Sequence, residues 1–317
     1  MMVWLLAGLG LVILLLAGDA LVRGAVNLSL RLGVPALIVS LTIVAFGTSA
    51  PELLISIRAV LDHAPGIALG NVVGSNTANI LLVLGIPAIL AHMDTGACDS
   101  RKSYVFMLVA TVLFIGLAFT GTFTLLSGLV MLAVLALVLW DQMRDALAHR
   151  RSCALEPAPL DGLEEADPDM PYWRISVYLA LGLIGLPLGA NLLVESASII
   201  ARTYGVSDTV IGLTLVALGT SLPELATTVM AALRKQADVA LGNVIGSNMF
   251  NLLAIIGAAT MFGPIPVDPE FLRFDLWVML GASLLLVPFV FFGRDLTRRW
   301  GIALSALYVA YVCAVLM

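Results

Sequence analysis

Charge is scarce in this sequence. Charged residues make up only 12% of the 317 residues, about half of the roughly 25% that is usual in soluble domains. Hydrophobic residues make up 61%, against about 45–50% in soluble domains, and the mean hydropathy is +1.05. These values exclude an ordinary water-soluble domain. The chain is predicted to be an integral membrane protein, with the lipid bilayer as an expected partner.

Cysteine, histidine and clustered basic residues are also scarce. The three cysteines are far apart and have no CxxC spacing, so they predict neither a disulfide framework nor a zinc site. The three histidines fall in predicted loops, which weakens any hypothesis of a histidine-based metal site or proton relay. No basic stripe alternates with aromatic residues, so nucleic acid is not an expected partner. No obligate protein partner is inferred.

Ten apolar stretches are candidates for membrane spans, since a spanning helix needs about 20 such residues. They lie at roughly 2–18, 35–60, 66–91, 103–119, 123–141, 172–199, 207–233, 237–262, 272–292 and 297–317. The pattern predicts an all-α integral membrane protein with ten transmembrane helices. Several stretches exceed a straight span, which indicates tilted or broken helices.

The longest connection, 142–171, contains the proline-rich and acidic segment "EPAPLDGLEEADPDMP". It lacks the DxDxDG spacing of a calcium-binding loop, and we interpret it as a solvated linker. Of the 16 Lys and Arg residues, all but Arg58, Arg202 and Arg273 fall in the linker and the loops on its side of the membrane. The positive-inside rule therefore places the linker in the cytoplasm and both termini outside.

A stretch of 39 residues occurs twice. Residues 47–85 are "GTSAPELLISIRAVLDHAPGIALGNVVGSNTANILLVLG", and residues 219–257 are "GTSLPELATTVMAALRKQADVALGNVIGSNMFNLLAIIG". The offset is 172 without gaps, and 19 of the 39 positions are identical, where chance gives roughly one in ten. The second copy begins five predicted spans after the first, an odd number, so the copies cross the membrane in opposite directions. Inverted repeats of this kind are typical of secondary transporters.

The repeats predict three domains: a first five-helix repeat at 1–141, the cytoplasmic linker at 142–171, and a second, inverted five-helix repeat at 172–317. Each repeat contains a proline inside an apolar span, which predicts a broken helix. Pro51 and Pro223 have no N–H for the carbonyls of Gly47 and Gly219. A free carbonyl in lipid costs several kcal/mol unless it finds a partner, and a cation is such a partner.

Glu52 and Glu224 are the only two acids predicted to lie deep in the membrane. An acid at a helix centre costs roughly 2.5–3.5 kcal/mol on insertion scales. No Lys or Arg inside the predicted spans is available to pair with them. We therefore expect a mobile cation or a proton to neutralise these carboxylates.

Hydroxyl and amide groups accompany both glutamates. Thr and Ser precede each glutamate by one turn, and a Ser and an Asn four residues apart share a face of the next helix. The set comprises Thr48, Ser49, Thr220, Ser221, Ser75, Asn79, Ser247 and Asn251. An all-oxygen shell suits hard cations such as calcium, sodium or magnesium and disfavours copper and zinc.

Structural roles are the alternative for the single polar residues. Ser and Thr in membrane helices often bond only to backbone or to a neighbouring helix. Asn71 and Asn243 are interpreted as structural groups that hold the broken helices. The GxxxG-like spacing of glycines in both repeats is interpreted as close helix packing.

The two motif pairs resemble the alpha-repeats of the calcium/cation antiporter superfamily, whose best-known branch is the sodium/calcium exchangers. These pairs are "GTSAPE" with "GNVVGSNTAN" and "GTSLPE" with "GNVIGSNMFN". The resemblance implies that the second, third, seventh and eighth helices pack around an ion site, while the first and sixth slide across it as gates.

The resemblance also implies residue roles. It implies that Glu52 and Glu224 are the main calcium ligands and that Thr48 and Thr220 add oxygens. It assigns sodium to Ser49, Ser75, Ser221 and Ser247, joined by the carbonyls of Ala45 and Ala217, and it matches Asn79 and Asn251 to the family's central polar pair. Many members, including the potassium-dependent exchangers, have an Asp in place of Asn251, which argues against potassium co-transport here.

The predicted function is a sodium/calcium antiporter that exports calcium by alternating access. No catalytic residue and no cofactor are expected beside the transported ions Ca2+ and Na+, and the protein is not expected to be an enzyme. The alternatives are proton/calcium exchange, a calcium channel and an intramembrane hydrolase, although no histidine or lysine base lies near Ser49 or Ser221. The bacterial plasma membrane is the expected location.

Overall fold

The computed structural model describes residues 2–153, 167, 169–205 and 217–316. In the first half the elements are α1 (Met2–Leu32), α2 (Ala36–Val39), a π-helix (Ser40–Val44), α3 (Ala45–Thr48), α4 (Ala50–Leu61), α5 (Pro65–Ala78), a π-helix (Asn79–Val83), α6 (Gly85–Leu90), a 3-10 turn (Thr95–Ala97), α7 (Arg101–Ala118), β1 (Thr122–Phe123) and α8 (Leu125–Cys153).

The second half repeats the order of the helices around the two motifs, while its short strand lies at a different point of the order. Its elements are α9 (Tyr172–Thr203), α10 (Ala217–Gly219), α11 (Leu222–Leu233), α12 (Ala237–Met249), a π-helix (Phe250–Ile255), α13 (Ile256–Ala259), β2 (Ile265–Pro266), α14 (Pro269–Arg273), α15 (Asp275–Leu284), α16 (Val287–Phe291) and α17 (Arg298–Leu316).

The described helices confirm an all-α membrane protein. Seven are long and apolar enough to cross a bilayer, and the bent pair Ala36–Thr48 and Ala50–Leu61, with a 44° kink, makes an eighth. Leu222–Leu233 is apolar but shorter, and much of the predicted span before it, 206–216, lies outside the described residues. The full count of ten spans stays a prediction.

The two repeats fold alike in detail. Helix α4 (Ala50–Leu61) and helix α11 (Leu222–Leu233) are offset by the same 172 positions as the sequence repeat. The turn after each helix has a residue with positive φ, at His63 (58°) and at Lys235 (55°). The repeated sequence therefore specifies repeated backbone geometry as well as repeated chemistry.

The second helix of each 39-residue repeat lies at the centre of the molecule. In the first copy it is α5 with its continuation α6, and in the second copy it is α12 with its continuation α13. In the most apolar stretches of Pro65–Leu90 and Ala237–Ala259, 78% and 94% of the residues are buried, against 22–44% in the other full-length spans. Close packing explains the glycines of the second copy, because a methyl group on Gly246 would lie 2.5 Å from the Leu41 carbonyl oxygen. For this copy the structure agrees with the packing role predicted for the glycine spacing.

Two long helices, α1 and α9, lie side by side over much of their length. Their backbones come very close: a methyl group on Gly10 would lie 2.7 Å from the Leu193 nitrogen, and one on Gly189 would lie 2.9 Å from the Leu14 nitrogen. Only glycine permits such an approach without displacing the partner backbone.

The predicted linker is described only in part. Helix α8 continues to Cys153, past the predicted end of its span at 141, because the sequence remains compatible with a helix beyond the apolar run. Residues 154–166 and 168 lie outside the described residues. At the far end of the linker, the Asp167 amide donates to the Asn27 side-chain oxygen of α1 at 2.9 Å.

Short pairings join the two halves at opposite ends of the spans. Strands β1 and β2 pair through Phe123 and Ile265 at the end that follows α7. A single antiparallel bridge between Met93 and Leu296 joins the loops at the end that precedes α7. Each joint connects a loop of one repeat to a loop of the other.

Candidate functional site

Each predicted broken helix is interrupted at its repeated serine. Helix α3 ends at Thr48 and α4 begins at Ala50, while Ser49 between them has φ −84° and ψ 5°. Ser221 has φ −85° and ψ 1° before α11. A proline follows in the first turn of each new helix, the position where its missing N–H is tolerated.

The two glutamates lie in the first turns of these new helices. Glu52 belongs to α4 and Glu224 to α11, and each is only 1% exposed. The positive end of the helix dipole favours a carboxylate at this position. Within the part of the chain that the structure describes, no Asp, Lys or Arg is equally buried, so no protein cation is buried beside them.

The broken helices of the two repeats meet at one place. The Ser49 hydroxyl donates to Glu224 Oε1 at 3.1 Å. The Thr48 hydroxyl donates to Asn243 Oδ1 at 3.3 Å. Residues from both copies of the motif therefore build a single shared site.

Asn71 and Asn243 hold the broken helices, in agreement with their predicted structural role. The Asn71 amide donates to the Glu52 carbonyl at 3.2 Å and to the Ser56 hydroxyl at 3.0 Å. The Asn243 amide donates to the Glu224 carbonyl at 3.3 Å and to the Thr228 hydroxyl at 3.1 Å. Each asparagine thus fixes the backbone of its own glutamate.

A second pair of asparagines joins the central helices. The Asn76 amide donates to the Asn248 carbonyl at 3.1 Å, and the Asn248 amide donates to the Asn76 carbonyl at 3.3 Å. The Asn79 amide donates to Asn248 Oδ1 at 3.0 Å. Sequence reasoning missed Asn76 and Asn248 as positioning residues, although their identity in both copies was a signal for them.

Several buried oxygens in this region have no hydrogen-bond partner among the described residues. They are Glu52 Oε2, Asn76 Oδ1, Asn79 Oδ1, Ser221 Oγ, Glu224 Oε2, Ser247 Oγ and Asn251 Oδ1. Burying an unsatisfied polar atom costs about 1–3 kcal/mol, and native structures contain few such atoms. All of these atoms are oxygens on the broken helices and central helices, which is the donor chemistry that hard cations require.

The remaining predicted ligands lie on the same elements. Ala45 is buried in α3, Ser75 is buried in α5, and Thr220 follows α10 next to the break before α11. Ala217 begins α10. The structure thus brings Ser49 into contact with Glu224 and places the other predicted residues on the broken helices and central helices around this contact.

Known proteins are similar to this chain over most of its length. A family model described as "Sodium/calcium exchanger protein" matches residues 2–143 and 175–317. The chain is 35% identical over 334 residues to the sodium/calcium exchanger MaX1 of Methanosarcina acetivorans, covering 96% of this chain and 95% of that protein. It is 32% identical over 278 residues to the inner membrane protein YrbG of Escherichia coli, covering 87% and 85%.

Solved structures agree with the sequence matches. A structure of the sodium-calcium exchanger NCX_Mj, soaked with Na+ and Sr2+, superposes on this chain with a TM-score of 0.83 at 32% sequence identity. The match covers 99% of this chain and 98% of that one.

Proposed function

Because the chain belongs to the sodium/calcium exchanger family, we propose that it exports Ca2+ from the cytoplasm in exchange for Na+ by alternating access. The observation that carries this proposal is the contact between the two repeats. The Ser49 hydroxyl of one broken helix lies 3.1 Å from Glu224 of the other, so both half-sites serve one ion path.

The two glutamates are proposed as the main calcium ligands. If both are ionised, their two negative charges balance one Ca2+, and calcium accepts six to eight oxygen ligands. Further oxygens are supplied by the hydroxyl and amide groups on the same four segments. The proposed shell draws on Thr48, Thr220, Asn79 and Asn251 for calcium, and on Ser49, Ser75, Ser221, Ser247 and the carbonyls of Ala45 and Ala217 for sodium.

Shared ligands couple the two fluxes. In this structure the Ser49 hydroxyl donates to the carboxylate of Glu224, which we propose as a calcium ligand. A bound sodium would need the Ser49 oxygen as a ligand and would turn that hydroxyl away from the carboxylate. Sodium and calcium therefore compete for one set of groups, and the protein crosses between its two states with one or the other.

The helix packing supports an outward-facing state. Helix α1 packs along α11, and Asp19 of α1 forms an ion pair with Arg234 just after α11. The mirror-related contact of α9 with α4 is marginal. We infer that this contact closes the ion path at the end that carries Arg234, which the positive-inside rule places in the cytoplasm.

The proposed location is the bacterial plasma membrane, with the linker in the cytoplasm and both termini outside. The charge distribution of the loops supports the orientation. The location is supported by the similarity to a protein named as an inner membrane protein of Escherichia coli.

Proton/calcium exchange is the second candidate. It is favoured by the two buried carboxylates, each with one oxygen that has no hydrogen-bond partner in the described part of the chain, because such a group can take up a proton. The hydroxyl and amide groups around the carboxylates favour sodium.

Calcium uptake into proteoliposomes tests the proposal under imposed sodium, potassium and proton gradients applied separately. An outward-directed sodium gradient should drive calcium accumulation against its own gradient. Uptake driven by a proton gradient alone would establish the second candidate. Calcium flux that needs no counter-ion gradient would instead identify a channel.

A further inference from the structure

The joint between the loop after α6 and the segment before α17 carries three potential metal ligands. The Met93 amide donates to the Leu296 carbonyl at 3.2 Å, and the Leu296 amide donates to the Met93 carbonyl at 3.1 Å. Both side chains are buried. Since side chains alternate between the two faces of paired extended segments, His92, Asp94 and Asp295 lie on the opposite, outer face.

The three side chains converge. His92 Nε2 lies 3.1 Å from Asp94 Oδ1 and 3.6 Å from Asp295 Oδ2. One ligand atom from each residue lies within 4.8 Å of the other two. A single ion can therefore contact all three atoms after small side-chain rotations.

The backbone around the three ligands is tied down. The Gly96 amide donates to the second oxygen of Asp295, Oδ1, at 3.0 Å. The buried Thr95 hydroxyl donates to the Arg294 carbonyl at 3.1 Å and accepts from the Leu296 amide at 3.1 Å. The carboxylate of Asp295 is thus oriented by a contact that leaves its Oδ2 atom facing His92.

The two carboxylates have no basic partner in the described ranges. Their ion pairs with described residues are to His92 alone, with no Lys or Arg. The ligand oxygens of the two carboxylates lie within 4.8 Å of each other, and two negative charges this close repel unless a cation lies between them. A bound dication would compensate both charges and would also use the imidazole nitrogen.

The mirror-related joint shows that the pairing itself does not require these side chains. Strands β1 and β2 join the opposite end through Phe123 and Ile265. At the repeat offset of 172, the position of His92 is taken by Pro264, that of Asp94 by Pro266, and that of Asp295 by Phe123. Both joints form, but only one carries ligands, so loop pairing does not explain the histidine and the two aspartates.

We propose that His92, Asp94 and Asp295 bind a first-row divalent transition metal, with Zn2+ as the reference ion. One imidazole nitrogen and two carboxylate oxygens are established zinc ligands, and water completes the coordination of an exposed three-ligand site. The metal joins one loop from each repeat. This site is separate from the all-oxygen ion path, whose groups disfavour zinc.

Zinc titration of the full-length protein in detergent tests the proposal, with excess calcium present to occupy the ion path. One Zn2+ per chain is expected. His92→Ala and the double variant Asp94→Asn/Asp295→Asn should each weaken binding by more than about 100-fold, because losing a direct ligand exceeds the roughly 10–100-fold cost of losing an outer-shell partner. Co2+ substitution gives a second readout, since the visible absorption of bound Co2+ should vanish in the same variants.

A matched control is His63→Asn, which removes an exposed histidine from a loop outside this joint. Asn tolerates the positive φ of 58° at this position. This variant should bind Zn2+ as the parent does. Equal zinc binding by the parent and by His92→Ala, or no zinc binding by the parent, would overturn the proposal.

Discussion

The two repeats share a backbone but differ in what they touch. Helix α1 packs along α11, whereas α9 barely contacts α4 in spite of the 172-residue correspondence between the two helix pairs. Asp19 on α1 pairs with Arg234. The corresponding positions of the other repeat are Asn191 and Asp62, which cannot form an ion pair with each other.

Features that appear in both repeats are encoded by the duplicated sequence, whereas features that appear in one repeat alone belong to this conformation. The breaks at Ser49 and Ser221, the positions of the glutamates and the asparagine contacts to their carbonyls all appear twice. The packing of α1 along α11 has no equal counterpart between α9 and α4. An exchanger that alternates between two states would make the second set of contacts in the other state, so the unmatched ion pair adds a preference for the state seen here.

The largest effect is expected for the glutamates, which both repeats share. Glu52→Gln and Glu224→Gln should each reduce calcium exchange by more than about 100-fold, since each removes one of two charges that balance the ion. Sodium-driven calcium uptake in proteoliposomes measures this loss.

Glu195→Gln, at an exposed acid in α9, is the matched control and should leave uptake unchanged. Thermal unfolding of each variant confirms that the fold persists. An active Glu52→Gln/Glu224→Gln double variant would show that the ion path lies elsewhere.

A smaller effect, on the free energy of unfolding, is expected to differ between variants of Asn243 and Asn71. Asn243 is fully buried and also accepts the Thr48 hydroxyl, whereas Asn71 is half-buried. Asn243→Ala should therefore lower the free energy of unfolding by about 1–3 kcal/mol, the cost of leaving buried groups unsatisfied. Asn71→Ala should cost less. Thermal unfolding in one detergent compares the two variants, and equal losses would contradict the asymmetry.

The smallest effect concerns the ion pair of α1. Asp19→Asn should destabilise the present state by about 0.2–1 kcal/mol, so that cysteine accessibility of the closed end increases a few-fold at most. Asn191→Lys places a cation opposite Asp62 in the mirror-related position and should favour the other state.

Asp19→Asn and Asn191→Lys act on the same equilibrium between the two conformational states. The first is expected to weaken the present state, and the second to stabilise the other state. Site-directed labelling of single cysteines on α4 and α11 reports which end is open. If Asp19→Asn left both ends as accessible as in the parent, the ion pair would not bias the conformation.

Local chemistry could be predicted from the sequence because it is repeated. The prolines at positions 51 and 223 predicted where the helices break. The occurrence of a glutamate at the same point of both apolar spans predicted Glu52 and Glu224 as site residues. The resemblance of both motifs to one family further supplied the arrangement of the central helices.

Contacts between distant residues could not be predicted in the same way. Identity in both copies marks Asn76 and Asn248, but it marks the neighbouring asparagines equally, so it does not show that this pair joins the central helices. Asp19 and Arg234 come together only because α1 packs along α11. His92 lies in a loop, where histidine is common, and it acquires two acidic neighbours only when a segment about 200 residues away pairs beside it.

The glycine-lined seam between α1 and α9 has a mechanical consequence. Side chains that would hold the two helices apart are missing at Gly10 and Gly189, so the helices share a close backbone interface. In the proposed exchange mechanism this interface would let α1 and α9 move as one unit. A unit that covers the ion path on one face of the bilayer while it uncovers the other face would guard against a continuous pore.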